Sequence, residues 1–122
     1  MKLGLITSIC EGMTFEEVVD FAEENGLECL EVACWPQGGA NRRYAGVSHI
    51  DVADLTEAKA KEIKDLCAKK GVEISALAYY PNTMDPDLEK RAGYIAHLYK
   101  LIDASAMLDV NMVTTFVGRD PK

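Results

Sequence analysis

At 122 residues, 48% hydrophobic and 27% charged, the chain has the size and balance of one folded domain, which excludes a low-complexity or disordered protein. A net charge of -7 and a pI near 4.8 speak against a general nucleic-acid or anionic-membrane surface. Met1 to Ile9 is too short, and too soon followed by Glu11, for a signal peptide, and no apolar run reaches membrane-spanning length, so a soluble cytoplasmic protein is expected.

Lys2 to Thr7 reads as a first strand, ended by Ser8, Glu11 and Gly12. Thr14, with Glu17 three residues on, forms a capping box that starts a helix with Phe15, Val18, Val19 and Ala22 on one face and Gly26 as its stop. Cys29 to Ala33 is a second strand. It opens into a long connection from Cys34 and Trp35 through Arg42 and Arg43 to His49, after which Thr56 restarts a helix with Ala60, Ile63, Leu66 and Cys67 inward and Gly71 at its end. Val72 to Ala78 is a third strand, followed by the loop Tyr79-Tyr80-Pro81-Asn82-Thr83. Asp85-Pro86-Asp87 opens the longest helix, whose spacing places Leu88, Ala92, Ile95, Tyr99, Ile102 and Ala106 inward and His97 in water. Val110 to Phe116 is a fourth strand and Val117 to Lys122 an exposed tail. Cys10, Cys29, Cys34 and Cys67 lie too far apart for a C-x-x-C pair and read as reduced packing residues.

The order β-α-β-α-β-α-β is α/β with a parallel sheet and right-handed crossovers. An open doubly wound sheet buries both faces and needs near-continuous apolar strands. Here Glu31, Glu73, Ser75, Asn111 and Thr115 spoil one face, as a barrel lumen would, and no G-x-G-x-x-G or P-loop follows any strand. A closed (β/α)8 TIM barrel takes about 250 residues, so residues 1–122 are expected to form a single half-barrel, truncated relative to the whole. Such a half exposes its lumen face and two strand edges, and a homo-oligomer formed through them is expected.

The long connection is where chemistry is expected, because βα loops are usually short. Glu31, late in an inward strand, is the candidate catalytic residue, as general base or sugar-hydroxyl acceptor; it also suits a solvated or arginine-paired glutamate at the rim. Arg42 and Arg43 suit a bidentate grip on phosphate or carboxylate, or solvated loop positions. Trp35 suits stacking on a sugar ring or plugging the barrel top. His49 is a candidate ligand-facing donor or a locally packed loop residue. Without a partner at metal-ligand spacing it gives no metal site. Tyr80 and Asn82 offer a hydroxyl and an amide at the same end of the sheet, or cover apolar surface.

Met1 to Thr7, Glu23-Glu24-Asn25-Gly26, Leu30-Glu31-Val32 running into Cys34-Trp35-Pro36, Arg42-Arg43-Tyr44-Ala45-Gly46 to His49-Ile50-Asp51-Val52, Ser75 to Tyr80 and Thr114 to Asp120 together resemble the amino-terminal half of the sugar phosphate isomerase/epimerase family, the xylose-isomerase-like barrels. The resemblance implies an enzyme that uses a divalent metal (Mn, Mg, Co or Zn) to move a proton beside the carbonyl of a sugar or sugar phosphate through an enediolate. The family's metal ligands come mainly from strands five to eight, so no metal is expected on this chain alone and the isolated chain is expected to be inactive. The alternative is a non-enzymatic half-barrel that closes as a symmetric dimer. A barrel endonuclease of DNA repair ranks third, since it would need a basic groove and several metal-binding histidines, and this acidic chain has two.

Overall fold

The computed structural model describes residues 1–38 and 45–120. Helix α1 (Phe15–Glu24) begins on the expected capping box: Thr14 Oγ1 accepts from Glu17 N at 3.2 Å, and Glu17 Oε2 accepts from Thr14 N at 2.7 Å. Two otherwise orphaned donors are thereby satisfied. Its Val18, Val19 and Ala22 are buried. Helix α2 (Glu57–Lys70) is capped by Thr56 and closed by Gly71, whose left-handed φ of 67° would strain a side chain. Lys70 ties the two helices together through Asp20 at 2.9 Å and Glu23 at 3.0 Å.

Strands β1 (Gly4–Ile6), β2 (Cys29–Ala33), β3 (Glu73–Ala78) and β4 (Val113–Thr114) form one parallel sheet in chain order. Sequential order with right-handed crossovers places every helix on the same face, which is barrel geometry, whereas a doubly wound sheet reverses its strand order midway. Leu30, Val32 and Leu77 from that face, Val18 and Ala22 from α1, Ala60 from α2, and Leu101 and Ala104 from α3 (Leu88–Met107) make one continuous core. Each fully buried Leu or Val stabilises it by about 1.5–3 kcal/mol. Three strands are shorter than their sequence patterns: after Ile6 the chain tightens into a 3-10 turn over Thr7–Ile9, β3 starts at Glu73 rather than Val72, and β4 pairs only through Val113 and Thr114.

The register corrects the expected lumen face. Leu30 pairs with Ile74 but Glu31 with Ala76, so Ser75 is the extra residue of a bulge, its hydroxyl turned back to Leu30 O at 3.1 Å. Ala76, not Ser75, therefore stands beside Glu31. Ala78 pairs with Thr114, and alternation puts Met112, Thr114 and Phe116 on the lumen side, displacing Asn111 and Thr115 from it. Met112 and Phe116 are 56% and 57% exposed there.

Helix α3 also turns a different face inward. His97, Leu101 and Ala104 are buried, while Leu88 is 70% and Tyr99 64% exposed. At 100° per residue the expected stripe lies about half a turn from the buried one. The helix is apolar on two sides, and the sheet takes the side that lets His97 reach Cys34 O, at 2.8 Å from Nε2. A buried imidazole with a hydrogen-bond partner avoids the desolvation cost that favours water.

Candidate functional site

The carboxyl ends of the strands gather the unusual side chains, the end at which such barrels build their sites. Glu31 stands on β2, half-buried in the row that contains Ile6 and Ala76. Its Oε1 accepts the Tyr80 hydroxyl, from just past β3, and the Thr114 hydroxyl, from β4, at 2.7 Å; the two hydroxyl oxygens lie 2.9 Å apart. Two donors, one from β4 and one from the loop after β3, thus converge on one carboxylate oxygen, and Oε2 has no protein partner among the described residues. Burial, and then the bond to Glu31, raises the Tyr80 hydroxyl above the usual tyrosine range, so it stays a donor at neutral pH. Thr114 carries no signal in the sequence, because it is 83 residues from Glu31 and the parity of its strand is not evident from the pattern.

Tyr80 is also one wall of an open cleft of about 780 Å³ lined by Trp35, Asp85, Tyr94, Phe116 and Arg119. The Tyr80 and Phe116 rings lie 4.9 Å apart. Behind them Tyr79, 1% exposed, meets Trp35 edge-on at 4.9 Å and His97 at 4.7 Å, which fixes the Trp35 ring at the cleft margin. Arg42 and Arg43 lie outside the described residues. Their loop leaves and returns through a short bridge, Cys34 opposite Ser48, with His49 N bonded to Ala33 O at 2.9 Å.

His49 sits under that return, and both its ring nitrogens are held by protein. Nε2 lies 3.2 Å from Cys10 O, which can only accept, so Nε2 carries the hydrogen and Nδ1 receives the Thr7 hydroxyl at 2.9 Å. Burial lowers the His49 pKa, in keeping with a neutral ring. Its role here is to join the β1 and β2 ends. Asn82 lines the cleft too, but its amide is committed to the main chain: Nδ2 donates to Arg119 O at 3.0 Å, and Oδ1 accepts from Arg119 N at 2.8 Å. Both expected ligand-side residues thus have protein partners at their polar atoms, with one Asn82 Nδ2 hydrogen left over.

Among the described residues no group of three or more His, Cys, Asp or Glu is placed to hold a metal ion. By themselves the described residues therefore offer no donor set for the divalent metal that the resemblance implies. The four cysteines are free thiols, and burial pushes that of Cys34 up to about 12. No described helix is long and apolar enough to cross a membrane. At the opposite end of the sheet a cleft of about 730 Å³ is bridged by the Lys2–Glu73 ion pair and lined by ordinary surface groups.

Several solved structures share this fold. A xylose isomerase domain protein from Planctomyces limnophilus superposes with a TM-score of 0.66 at 15% identity, over 99% of this chain and 42% of that one. A probable 3-DHS dehydratase from Bacillus anthracis, involved in petrobactin synthesis, gives 0.59 at 26% identity, over 98% and 39%. D-psicose 3-epimerase from Clostridium cellulolyticum, solved with D-tagatose, gives 0.64 at 17% identity, over 94% and 37%. The chain thus spans about two fifths of the length of these proteins. No curated protein matches it in sequence. Residues 19–122 match the model of the xylose isomerase-like TIM barrel. With its four sequential parallel strands and its polar groups at their carboxyl ends, the chain belongs to the xylose isomerase-like TIM barrel family.

Proposed function

We propose that this chain forms the substrate-side half of a barrel enzyme that isomerises or epimerises a sugar or sugar phosphate, shifting a proton beside a carbonyl. Glu31 is the residue that carries the reading. A carboxylate with one oxygen pinned by Tyr80 and Thr114, and the other without a partner among the described residues, is preorganised to accept a substrate hydroxyl hydrogen or to take up a proton. The aromatic cleft beside it suits the apolar face of a ring. The described residues hold no complete set of metal ligands, so any divalent ion used by the intact enzyme needs ligands from beyond them, and the isolated chain binds substrate without turning it over.

Titration of the isolated chain with ketoses and aldoses, followed by NMR at the Tyr80 ring and Glu31 side chain, tests this. Saturable shifts in the parent, lost in Glu31→Gln, are expected; shifts unchanged by the substitution would reject Glu31 as the acceptor. Metal-dependent interconversion by the isolated chain would reject the half-site assignment.

The outer edges of β1 and β4, unpaired among the described residues, together with the exposed Met112 and Phe116, favour a second reading: a non-enzymatic half-barrel closed by its twin in a symmetric dimer. Light scattering separates the two, with a sharp dimer supporting assembly and a monomer or a polydisperse sample counting against it.

A further inference from the structure

The segment after β4 is tied to the loop after β3 by side-chain hydrogen bonds. Asn82 grips both main-chain polar groups of Arg119, and its Oδ1 also accepts from Met84 N at 3.3 Å. One residue over, the Thr83 hydroxyl donates to Val117 O at 2.7 Å. Between them Gly118 has a φ of +90°, and a Cβ there would lie 2.5 Å from Asn82 Oδ1 and 2.9 Å from Met84 N. The latch therefore closes only over glycine. It fixes the backbone of Arg119, the one basic side chain among the described residues lining the cleft. The carboxylate on that lining, Asp85, has its Oδ1 occupied by Asp87 N at 2.9 Å, and no ion pair joins it to Arg119.

From this geometry we infer that Arg119 forms an oxyanion subsite, and that the ligand of this cleft carries a phosphate or carboxylate at the Arg119 end and its hydroxyls toward Glu31. A guanidinium on a fixed backbone meets such a group with two parallel N–H donors and gives up less freedom in doing so than one on a loose tail. Asn82 is then a positioning residue that acts through Arg119. The inference rests on reading this mouth as the substrate side, and it can fail independently, because a neutral sugar would engage Glu31 without Arg119.

The test is an NMR titration of the isolated chain with inorganic phosphate and, separately, malonate, at ionic strength held constant with sodium chloride. Saturable shifts at the Gly118 amide and the Asn82 side-chain amide are expected with at least one anion, and which of the two saturates distinguishes phosphate from carboxylate. Arg119→Gln, an exposed change that leaves the latch intact, should weaken binding about tenfold or more. Asn82→Ala should weaken it less, and in the same anion order. Equal binding by parent and Arg119→Gln, or no saturation with either anion, would overturn the subsite. Loss of sugar shifts in Glu31→Gln with anion binding intact would separate the fate of the two sites.

Discussion

Replacing Tyr80 by Phe removes one hydroxyl and little else, because the ring keeps its 4.9 Å contact with Phe116. A hydrogen bond to a charged group contributes about 1.5–3 kcal/mol when buried. Glu31 and Tyr80 are only half-buried, water from the open lumen replaces part of the loss, and Thr114 still donates to Oε1 at 2.7 Å. The expected cost is therefore about 1 kcal/mol at neutral pH. Urea unfolding reads it as a lower midpoint at unchanged slope. Glu31→Gln supplies the control: without the charge, the same Tyr80→Phe change should cost less than about 0.5 kcal/mol, and the difference is the coupling between the two groups. Equal costs in both backgrounds, or a cost below about 0.3 kcal/mol with Glu31 in place, would show that the hydroxyl does not serve the carboxylate.

Gly118→Ala should open the latch, since the new Cβ meets Asn82 Oδ1 at 2.5 Å and main-chain atoms behind it; faster hydrogen exchange of the Arg119 amide, with β2 and β3 amides unchanged, would be the signature. Stability should also fall on the alkaline side. Burial pushes the Cys34 thiol and the Tyr79 hydroxyl both up to about 12, so the fold favours their neutral forms. Their contribution is complete below the unfolded values near 9.0 and 10.0 and is lost as pH rises from there toward 12. Urea midpoints should drop between about pH 9 and 12, less steeply in Cys34→Ala.

Local signals carried much of the fold into the sequence. The Thr14 capping box marks the start of α1, and Cys29–Ala33 bounds β2 where its apolar run does. Glu31 announces itself as a carboxylate in an inward strand. What the pattern could not carry depends on tertiary contacts. Helix α3 offers two apolar sides, and the choice between them is made by a main-chain carbonyl 63 residues from His97. The bulge at Ser75 shifts inward residues by one, and two paired residues of β4 are too few for an alternation to show its phase. Asn82 looks like a ligand donor because nothing local tells that its amide faces the backbone of Gly118 and Arg119.

All four strands run in the same direction, and among the described residues β1 and β4 each leave one side without a strand partner. A contact between β4 of one molecule and β1 of the next is head-to-tail, so it reproduces a free β1 and a free β4 at the two ends. If the curvature of two sheets sums to a full circle, the pair shuts on itself and growth stops at two. If it falls short, the same contact adds molecules without limit and yields a ribbon whose length rises with protein concentration. Because a bulge adds to the local twist of its sheet, the one at Ser75 bears on whether concentrated solutions of this chain stay clear or form fibres.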